Sequence, residues 1–416
     1  MRKAILACVF NRQEQGARRE VISELERLAN TAGYCVVDTL IQNLDSPNPR
    51  HYFGAGKLGE LKHLVQLFEP DVVITRHNLT PSQRKNLIHE LGIEIEDRTQ
   101  LILEIFEKHA FTREGKYEVE LARLRYEMPF FKGKGVELSN PGGGIGTRGP
   151  GEKKLELDRR KALQRIAFLK KELEKLGLER KIMRKRRQKA GIPLIALVGY
   201  TNAGKSSLLN VLCDAGALVE DKLFSTLDTR IRKSKLPSGR EVLFIDTVGF
   251  IRELPHQLLE SFKSTLEEIN FADLLLIVMD ASETNEEGKL TVIEETLKKI
   301  GAEDVPRLLV LNKVDRCTNE RIQMLEKKFP EAVFVSALKG FNLDELKCNI
   351  DRIFNLMRKK YILRVPFAEY EAIMKVREKL EILSEKYESD LIEIEYVTDS
   401  ATNKWLLNRI KGAGKR

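Results

Sequence analysis

A phosphate-binding loop constrains the fold of this chain more than any other feature. Gly199 to Ser206 reads Gly-Tyr-Thr-Asn-Ala-Gly-Lys-Ser, which fits the pattern Gly-x-x-x-x-Gly-Lys-Ser. The apolar run Leu194 to Val198 precedes this loop and a helical pattern from Ser207 follows it. In that setting, backbone N–H groups converge on phosphate oxygens at a helix N-terminus. The loop therefore predicts an α/β domain that binds a nucleotide.

Each position of the loop has a predicted task. Lys205 is expected to neutralise charge on the β- and γ-phosphates, and the Ser206 hydroxyl to ligate Mg²⁺. The other positions are expected to line the phosphates, and they are Gly199, Tyr200, Thr201, Asn202, Ala203 and Gly204. Asn202 has two interpretations, since its side chain could brace the loop or its carbonyl could coordinate K⁺ beside the phosphates.

A second motif, Asn312-Lys313-Val314-Asp315, selects the base and follows the apolar run Arg307 to Leu311. The Asp315 carboxylate can accept hydrogen bonds from N1–H and the exocyclic amine of guanine, a donor pair that adenine lacks. We expect this carboxylate to be buried, so that leaving it unpaired is costly and GTP is preferred over ATP on the order of 10⁴-fold. Lys313 is expected to lie along the base plane. Asn312 is expected to brace the phosphate loop and the base pocket.

Two segments between these motifs are predicted to hold the metal and to detect the γ-phosphate. Asp246-Thr247-Val248-Gly249 follows a strand, so that Asp246 can hold Mg²⁺ through water and the Gly249 N–H can reach the γ-phosphate. Phe224-Ser225-Thr226-Leu227-Asp228 supplies a hydroxyl for the metal, with Thr226 as the first choice and Thr229 as the second. We expect Lys205, Thr226 and Gly249 to be the catalytic groups.

The last predicted element and one departure bear on mechanism. Ser336-Ala337-Leu338 follows the final strand and can offer a backbone N–H to guanine O6. The order of all five elements is that of a translation-factor-type GTPase. Phe250, however, stands where many GTPases carry a water-orienting Gln, and a phenyl ring cannot direct a water. We therefore expect slow intrinsic hydrolysis, with the water positioned by backbone groups, a partner or a monovalent cation.

Positive charge is concentrated in one segment of the chain. The net charge is +9, and residues 152–189 alone hold 16 Lys and Arg against 6 Asp and Glu. The same segment has an apolar spacing that approximates a coiled-coil seam, formed by Ala162, Leu163, Ile166, Leu169, Leu173 and Leu176. Its charge fits either a solvated helix face or a surface that binds RNA, and the glycine-rich residues 140–151 beside it include Arg148.

At 416 residues the chain is too long for one ordinary core, and four domains are predicted. Residues 1–96 alternate strands and helices and predict a small α/β domain with a mostly parallel sheet. Residues 97–190 predict a helical hairpin with the glycine-rich loop 140–151, and 191–358 a GTPase domain with a doubly wound parallel sheet. Residues 359–416 predict an α+β domain, with strands near 362–366 and 391–397, a long helix through Tyr387 and a final helix containing Trp405.

A second glycine-lysine sequence, Gly54-Ala55-Gly56-Lys57, lies in the first predicted domain. Leu58 replaces the Ser or Thr that a phosphate loop needs, so we interpret this sequence as a helix start. The apolar run Leu274 to Met279 is too short for a membrane span. No targeting segment is visible and the 5 cysteines are scattered, so we expect a reducing cytoplasm. We also expect a monomer.

The motifs together resemble the HflX family of GTPases. The resemblance is carried outside the nucleotide site by four segments, residues 97–106, 112–116, 142–152 and 158–160, and inside it by residues 224–228 and 246–251. It implies that Thr226 is the switch metal ligand and that the glycine-rich loop probes ribosomal RNA. It also implies association with the large ribosomal subunit, ribosome-stimulated GTP hydrolysis and, for some members, splitting or rescue of ribosomes under stress.

Two points stay open at this level. Thr229-Arg230-Ile231-Arg232 departs from the Pro-Thr-Thr-Arg run that is commoner in the family, which leaves the choice between Thr226 and Thr229 undecided. A GTPase that scaffolds a protein partner through its coiled coil, without RNA, is the alternative function. Salt separates the two, since RNA affinity falls steeply with ionic strength while an apolar helix interface hardly responds.

Overall fold

The computed structural model describes residues 2–132, 150–213, 230–247, 249–250, 266–367, 370–374, 377, 380–388, 390–398, 402–403, 406–407 and 410. They form two compact units, which comprise mainly the residues up to 174 and those from 175 onward. The domain boundaries given by the sequence stay predictions.

A four-stranded parallel sheet organises the first unit, in the order β2-β1-β3-β4. Its strands are β1 (Arg2–Phe10), β2 (Tyr34–Asn43), β3 (Val72–Thr75) and β4 (Glu94–Asp97). The helices that connect them are α1 (Arg18–Ala32), α2 (Ala55–Phe68) and α3 (Pro81–Leu91). The central strand β1 is buried from Ala4 to Phe10, which explains its unbroken apolar run. Helix α2 begins where the Gly54 interpretation places a helix start.

Two helices and part of a third complete the first unit: α4 (Arg98–His109), α5 (Arg113–Glu127) and α6 (Pro150–Ala190), whose residues from 175 onward belong to the second unit. Helix α4 ends at His109, and Thr112 caps the next helix by accepting from the Gly115 N–H at 3.0 Å. Helices α5 and α6 run antiparallel, as a hairpin requires.

The pairing of α5 with α6 is visible in their contacts. Arg165 donates to Glu120 at 2.6 Å, and Arg113 donates to Glu172 at 3.1 Å. Within the apolar seam, Ala162 and Leu169 are buried. Leu163 is 48% exposed and does not belong to the seam, because it lies on the solvent side of the helix.

A six-stranded sheet organises the second unit, in the order β10-β9-β8-β5-β7-β6. Its strands are β5 (Leu194–Gly199), β6 (Arg230–Lys235), β7 (Glu241–Asp246), β8 (Leu274–Asp280), β9 (Arg307–Asn312) and β10 (Val333–Phe334). Its helices are α7 (Lys205–Leu212), α8 (Glu286–Ile300), α9 (Asn319–Lys328) and α10 (Leu343–Leu356). All neighbouring strands are parallel except β6, which pairs antiparallel with β7 at the edge. The predicted α/β fold with a parallel sheet is confirmed.

The chain continues into a three-stranded antiparallel sheet in the order β11-β13-β12. Its strands are β11 (Lys359–Pro366), β12 (Glu381–Glu388) and β13 (Leu391–Thr398), with the short helix α11 (Tyr370–Met374). The predicted long helix through Tyr387 is therefore wrong, because β12 pairs with β13 along its length. Trp405 lies outside the described residues. Within the part of the chain that the structure describes, no helix is long and apolar enough to cross a membrane.

Candidate functional site

The phosphate loop lies at the carboxyl end of the central strand β5. Its last residues begin helix α7, which starts at Lys205 rather than at Ser207 as predicted. Gly204 has a φ of +88°, a conformation that favours glycine, and a Cβ there would lie 2.2 Å from Asn312 Nδ2. The backbone conformation of the loop therefore requires glycine at position 204. With this conformation the backbone amides at the start of α7 remain available to bind an anion.

Lys205 is buried beneath this loop. Its Nζ donates to the carbonyl oxygens of Gly199 at 3.0 Å and Tyr200 at 2.7 Å. Burial lowers the pKa of Lys205 to about 8; the charge of Asp246 opposes this shift and that of Lys313 adds to it. The fold thus holds a desolvated ammonium group where the phosphates of a nucleotide would be expected to lie.

The side of the site that is predicted to bind the metal contains two oxygen groups in contact. Ser206 Oγ donates to Asp246 Oδ2 at 2.6 Å, and Asp246 is fully buried at the end of β7. Thr247 Oγ1 donates to Leu197 O at 2.7 Å, which fixes the strand end beside β5. A hydroxyl and a carboxylate are hard oxygen ligands that suit Mg²⁺. Among the described residues no three His, Cys, Asp or Glu side chains form a cluster that could hold a metal ion.

The segment after Asp246 is held to the phosphate loop by its backbone. The Phe250 N–H donates to Gly199 O at 2.9 Å, and Phe250 O accepts from the Thr201 N–H at 2.8 Å. A Cβ on Gly249 would lie 2.8 Å from Thr201 Cα and 3.0 Å from Lys205 Nζ, so only glycine fits there. The Phe250 side chain is 4% exposed. The residue in the place of the water-orienting Gln is therefore an apolar group packed into the protein.

Asn312 joins the two halves of the nucleotide site. Its Nδ2 donates to Ala203 O at 2.9 Å, and its Oδ1 accepts from the Ala337 N–H at 3.0 Å. The side chain is buried, with 1% of the residue exposed. These are the bracing contacts that the motif leads us to expect.

Asp280 is a member of the site that the sequence reasoning missed. Its Oδ2 lies 2.9 Å from Lys313 Nζ, and both side chains are largely buried. Lys313 has a left-handed backbone, with φ +64°. The register of β8 and β9 places Asp280 opposite Asn312. The sequence did contain a signal for Asp280. It is an acidic residue at the end of an apolar strand, next to the strand that leads into Asn-Lys-Val-Asp.

The base-recognition residues differ from expectation in one respect. Asp315 is exposed, so the assumption of a buried carboxylate is wrong, and the selectivity derived from it applies only when a base covers the group. Asp315 Oδ1 accepts from Ser336 Oγ at 2.5 Å. The Ser336 N–H donates to Phe341 O, and the Ala337 N–H is used by Asn312. The N–H groups of Ser336 and Ala337 are therefore engaged within the protein, and a contact of this segment with guanine O6 stays a prediction.

Several predicted positions fall outside the described residues. They are 140–149 of the glycine-rich loop, Phe224 to Asp228 with Thr229, and Val248. The choice between Thr226 and Thr229 accordingly stays a prediction. Asn202 is described and has a φ of +62°, which asparagine tolerates well. Within the described part of the chain its side chain makes no hydrogen bond, so neither of its two interpretations is decided.

Three family models match the chain. A model described as GTP-binding GTPase N-terminal matches residues 19–107, and one described as GTP-binding GTPase Middle Region matches residues 109–187. A third, described as 50S ribosome-binding GTPase, matches residues 194–313. Among solved structures, the crystal structure of the SsGBP and GDP complex is 30% identical, with 85% of this chain and 98% of that chain covered and a TM-score of 0.48.

Curated relatives match almost end to end. The GTPase HflX of Caldanaerobacter subterraneus subsp. tengcongensis is 44% identical over 392 residues, which cover 94% of this chain and 90% of the relative. The GTPase HflX of Escherichia coli (strain K12) is 38% identical over 346 residues, 83% of this chain and 81% of the relative. Since identity at this level extends over most of both chains, this chain belongs to the HflX family of GTPases, which bind and hydrolyse GTP.

Proposed function

We propose that this GTPase acts on the large ribosomal subunit and binds its RNA through the basic helical hairpin. The observation that carries the proposal is the concentration of positive charge on α6, 16 Lys and Arg against 6 Asp and Glu over residues 152–189. Folded RNA presents phosphates and shape, and a basic helix meets both. The match of residues 194–313 to a model described as 50S ribosome-binding GTPase supports the same partner.

The end of α6 has two sets of cations with different surroundings. Arg184 donates to Glu268 at 2.6 Å and its guanidinium lies 3.4 Å from the Phe271 ring centre, while Arg187 lies 3.7 Å from Glu268. These two arginines fix the helix end to the short helix Glu267–Phe271. Lys185 and Arg186 are exposed instead, and we assign the RNA contact at this end of the helix to them.

The roles we assign at the nucleotide site follow from its contacts. Lys205 neutralises the β- and γ-phosphates, the Gly249 N–H detects the γ-phosphate, and Ser206 and Asp246 hold Mg²⁺. Mg²⁺, when bound, supplies positive charge that stabilises the phosphate oxygens during hydrolysis. Asp315 accepts from the guanine base. The remaining predicted positions of the loop, 199–204, surround the phosphates through their backbone.

Hydrolysis by the isolated chain is proposed to be slow. The buried Phe250 ring carries no atom that can orient a water, so the water must be placed by other groups. We assign that task to the ribosome, with the Asn202 carbonyl and K⁺ as a second candidate. GTP-dependent binding would then couple hydrolysis to release, and splitting or rescue of ribosomes is the cellular role that we propose.

Co-sedimentation with purified ribosomal subunits tests the proposal. We expect the chain to pellet with the large subunit in a non-hydrolysable GTP analogue but not in GDP, and the subunit to raise the GTPase rate. Lys205→Ala is the control, because it should remove the dependence on triphosphate. Binding that resists salt, or indifference to ribosomes, would favour the protein scaffold instead.

A further inference from the structure

Asp280, the last residue of strand β8, has both of its carboxylate oxygens in contact with other groups. Oδ2 lies 2.9 Å from Lys313 Nζ, and the Asp280 side chain is only 7% exposed. Oδ1 accepts from the Ser282 N–H at 2.9 Å and from the Ser282 hydroxyl at 2.6 Å. One oxygen therefore fixes the carboxylate to its own loop, and the other faces the ammonium group of the Asn-Lys-Val-Asp segment.

The loop that follows Asp280 is held in place by two neighbouring elements. From helix α9, Arg321 donates to the carbonyl oxygens of Ala281 at 3.2 Å and Glu283 at 2.7 Å. From the end of β9, the Asn312 carbonyl accepts from the Ala281 N–H at 2.8 Å. These contacts fix the backbone next to Asp280 without any ligand, so the carboxylate is preorganised for its contact with Lys313.

The Lys313 side chain passes beside the phosphate loop to reach this carboxylate. Its Cε lies 3.8 Å from the position that a Cβ on Gly204 would occupy. Its backbone has φ +64°, a conformation that a residue with a side chain keeps only when its surroundings enforce it. A free lysine side chain has many rotamers and loses them when a ligand packs against it. A side chain that Asp280 already holds loses less freedom on binding.

The expected place of the base gives this restraint a consequence. Asp315 is the group to which we assign the guanine edge, and Lys313, two residues earlier, is expected to lie along the base plane. Methylene groups that pack on a purine face need a fixed direction, because burial of apolar surface supplies no directional bond of its own. The ammonium group at their end is costly to cover with a base unless it has a partner. Asp280 supplies that partner.

We propose that Asp280 is a positioning residue for guanine nucleotides, which holds the Lys313 side chain in the direction that the base requires. Asp280 does not touch the nucleotide and acts through Lys313. The inference rests on the base-recognition roles assigned to Lys313 and Asp315, and it is independent of the ribosomal partner. A purely structural role, in which Asp280 only closes the turn after β8 through Ser282, is the alternative that the experiment must exclude.

A double-mutant cycle between Asp280 and Lys313 tests the proposal, using the whole chain and a fluorescent GDP. Asp280→Asn keeps an oxygen acceptor for Ser282 but removes the charge that holds the ammonium group. We expect this variant to weaken GDP binding about 5- to 20-fold in the otherwise unchanged chain. In a chain that already carries Lys313→Met, the same change should cost less than about twofold, because no ammonium group remains to be positioned. Equal losses in the two backgrounds would overturn the proposal in favour of the structural role.

Steady-state GTP hydrolysis by the isolated chain provides a second readout. The base is remote from the reacting phosphate, so Asp280→Asn should raise the KM for GTP and leave kcat within about twofold. Asp273→Asn is the matched control, because Asp273 precedes the same strand and accepts from the Leu194 N–H at 2.8 Å. The control removes a charge at the opposite end of β8 and should leave GDP affinity within about twofold.

Three results would reject the positioning role: an unchanged GDP affinity in Asp280→Asn, an equal loss in Asp273→Asn, or a fall in kcat as large as the rise in KM. If thermal melting shows that Asp280→Asn does not fold, Ser282→Ala replaces it in the cycle. Loss of the hydroxyl donor to Oδ1 should weaken GDP binding about two- to fourfold with Lys313 present and not with Lys313→Met. No change in either background would also reject the role. The expected cycle in a chain that does not pellet with ribosomal subunits would reject the proposed function alone.

Discussion

Two glycine-lysine sequences begin helices in this molecule, and they differ in the backbone conformation of the glycine and in the burial of the lysine. At the start of α2, Gly54 has an ordinary φ of −68° and Lys57 pairs at the surface with Glu60 at 2.6 Å. At the start of α7, Gly204 has φ +88° and Lys205 is 6% exposed beneath two carbonyl groups. A left-handed glycine and a buried lysine distinguish a phosphate loop from a helix start.

The largest effect should come from removing the buried lysine. Lys205→Ala should lower GTP affinity about 100- to 1000-fold, because a charge-assisted contact in a desolvated site is lost. Lys57→Ala is the matched control and should leave GTP affinity within about twofold, since its partner is a surface acid. Isothermal titration calorimetry measures the GTP affinity of both variants. A similar loss of affinity in the two would contradict the distinction between the phosphate loop and the helix start.

Each of the two sheets has an aspartate at the end of a strand, Asp97 in the first and Asp246 in the second. Alanine at the first should mainly lower stability, and alanine at the second should mainly weaken GTP binding. Asp97 ends β4 and accepts from the backbone amides of Leu79, Thr99 and Gln100 and from the Tyr126 hydroxyl. Asp97→Ala should therefore lower the free energy of unfolding by about 2 to 4 kcal/mol without changing GTP affinity.

Asp246→Ala is the counterpart at the end of β7. It should weaken Mg²⁺-dependent GTP binding more than it lowers stability, because its carboxylate faces Ser206. Denaturant titration and calorimetry on both variants check this pair, and loss of GTP affinity in Asp97→Ala would contradict it.

Alanine substitution should be harmful at Gly204 and favourable at Gly56. Gly204→Ala should lower GTP affinity about 10- to 100-fold, because its positive φ and its contact with Asn312 both resist a Cβ. Gly56→Ala places a Cβ in open space within α2 and should raise stability by up to about 1 kcal/mol. Melting curves and nucleotide titrations distinguish these outcomes, and a neutral Gly204→Ala would contradict the required backbone conformation.

The pKa of Lys205 predicts a smaller effect, on pH dependence. Burial lowers the pKa of this ammonium to about 8, and a bound triphosphate favours its charged form. Below pH 8 the proton is already present, so GTP affinity should be nearly constant. Above pH 8 it must be taken up on binding, and affinity should fall by up to about tenfold per pH unit. Calorimetry in buffers of different ionisation enthalpy measures that uptake, and a flat profile between pH 7 and 9 would contradict it.

Local patterns carried the correct prediction of the fold and the hypothesis for the site. The phosphate loop, the Asn-Lys-Val-Asp motif and the long apolar strands each lie within a few residues, so their meaning is readable without tertiary information. Asp280 was missed because its partner Lys313 is brought to it only by the pairing of β8 with β9. The depth of Asp315 was misjudged for the same reason, since exposure depends on how neighbouring segments pack.

The strands that sequence reasoning missed or misassigned are the ones whose composition is unlike a strand. β6 reads Arg-Ile-Arg-Lys-Ser-Lys, a basic sequence suited to a sheet edge but lacking a long apolar run. β12 is rich in Glu and Lys, which favour helix, and it becomes a strand because β13 pairs with it. Tertiary pairing overrides local preference in both cases.

The bridge made by Asn312 has a consequence for altering the specificity of this enzyme. One amide group holds the carbonyl of Ala203 on the phosphate side and the N–H of Ala337 on the base side. A replacement of Asn312 would remove both contacts at once. A change of base preference at this position would therefore be accompanied by weaker binding of the triphosphate. A change of nucleotide specificity should therefore start from Asp315. Its exposed carboxylate can be replaced while Asn312 keeps its contacts with Ala203 and Ala337.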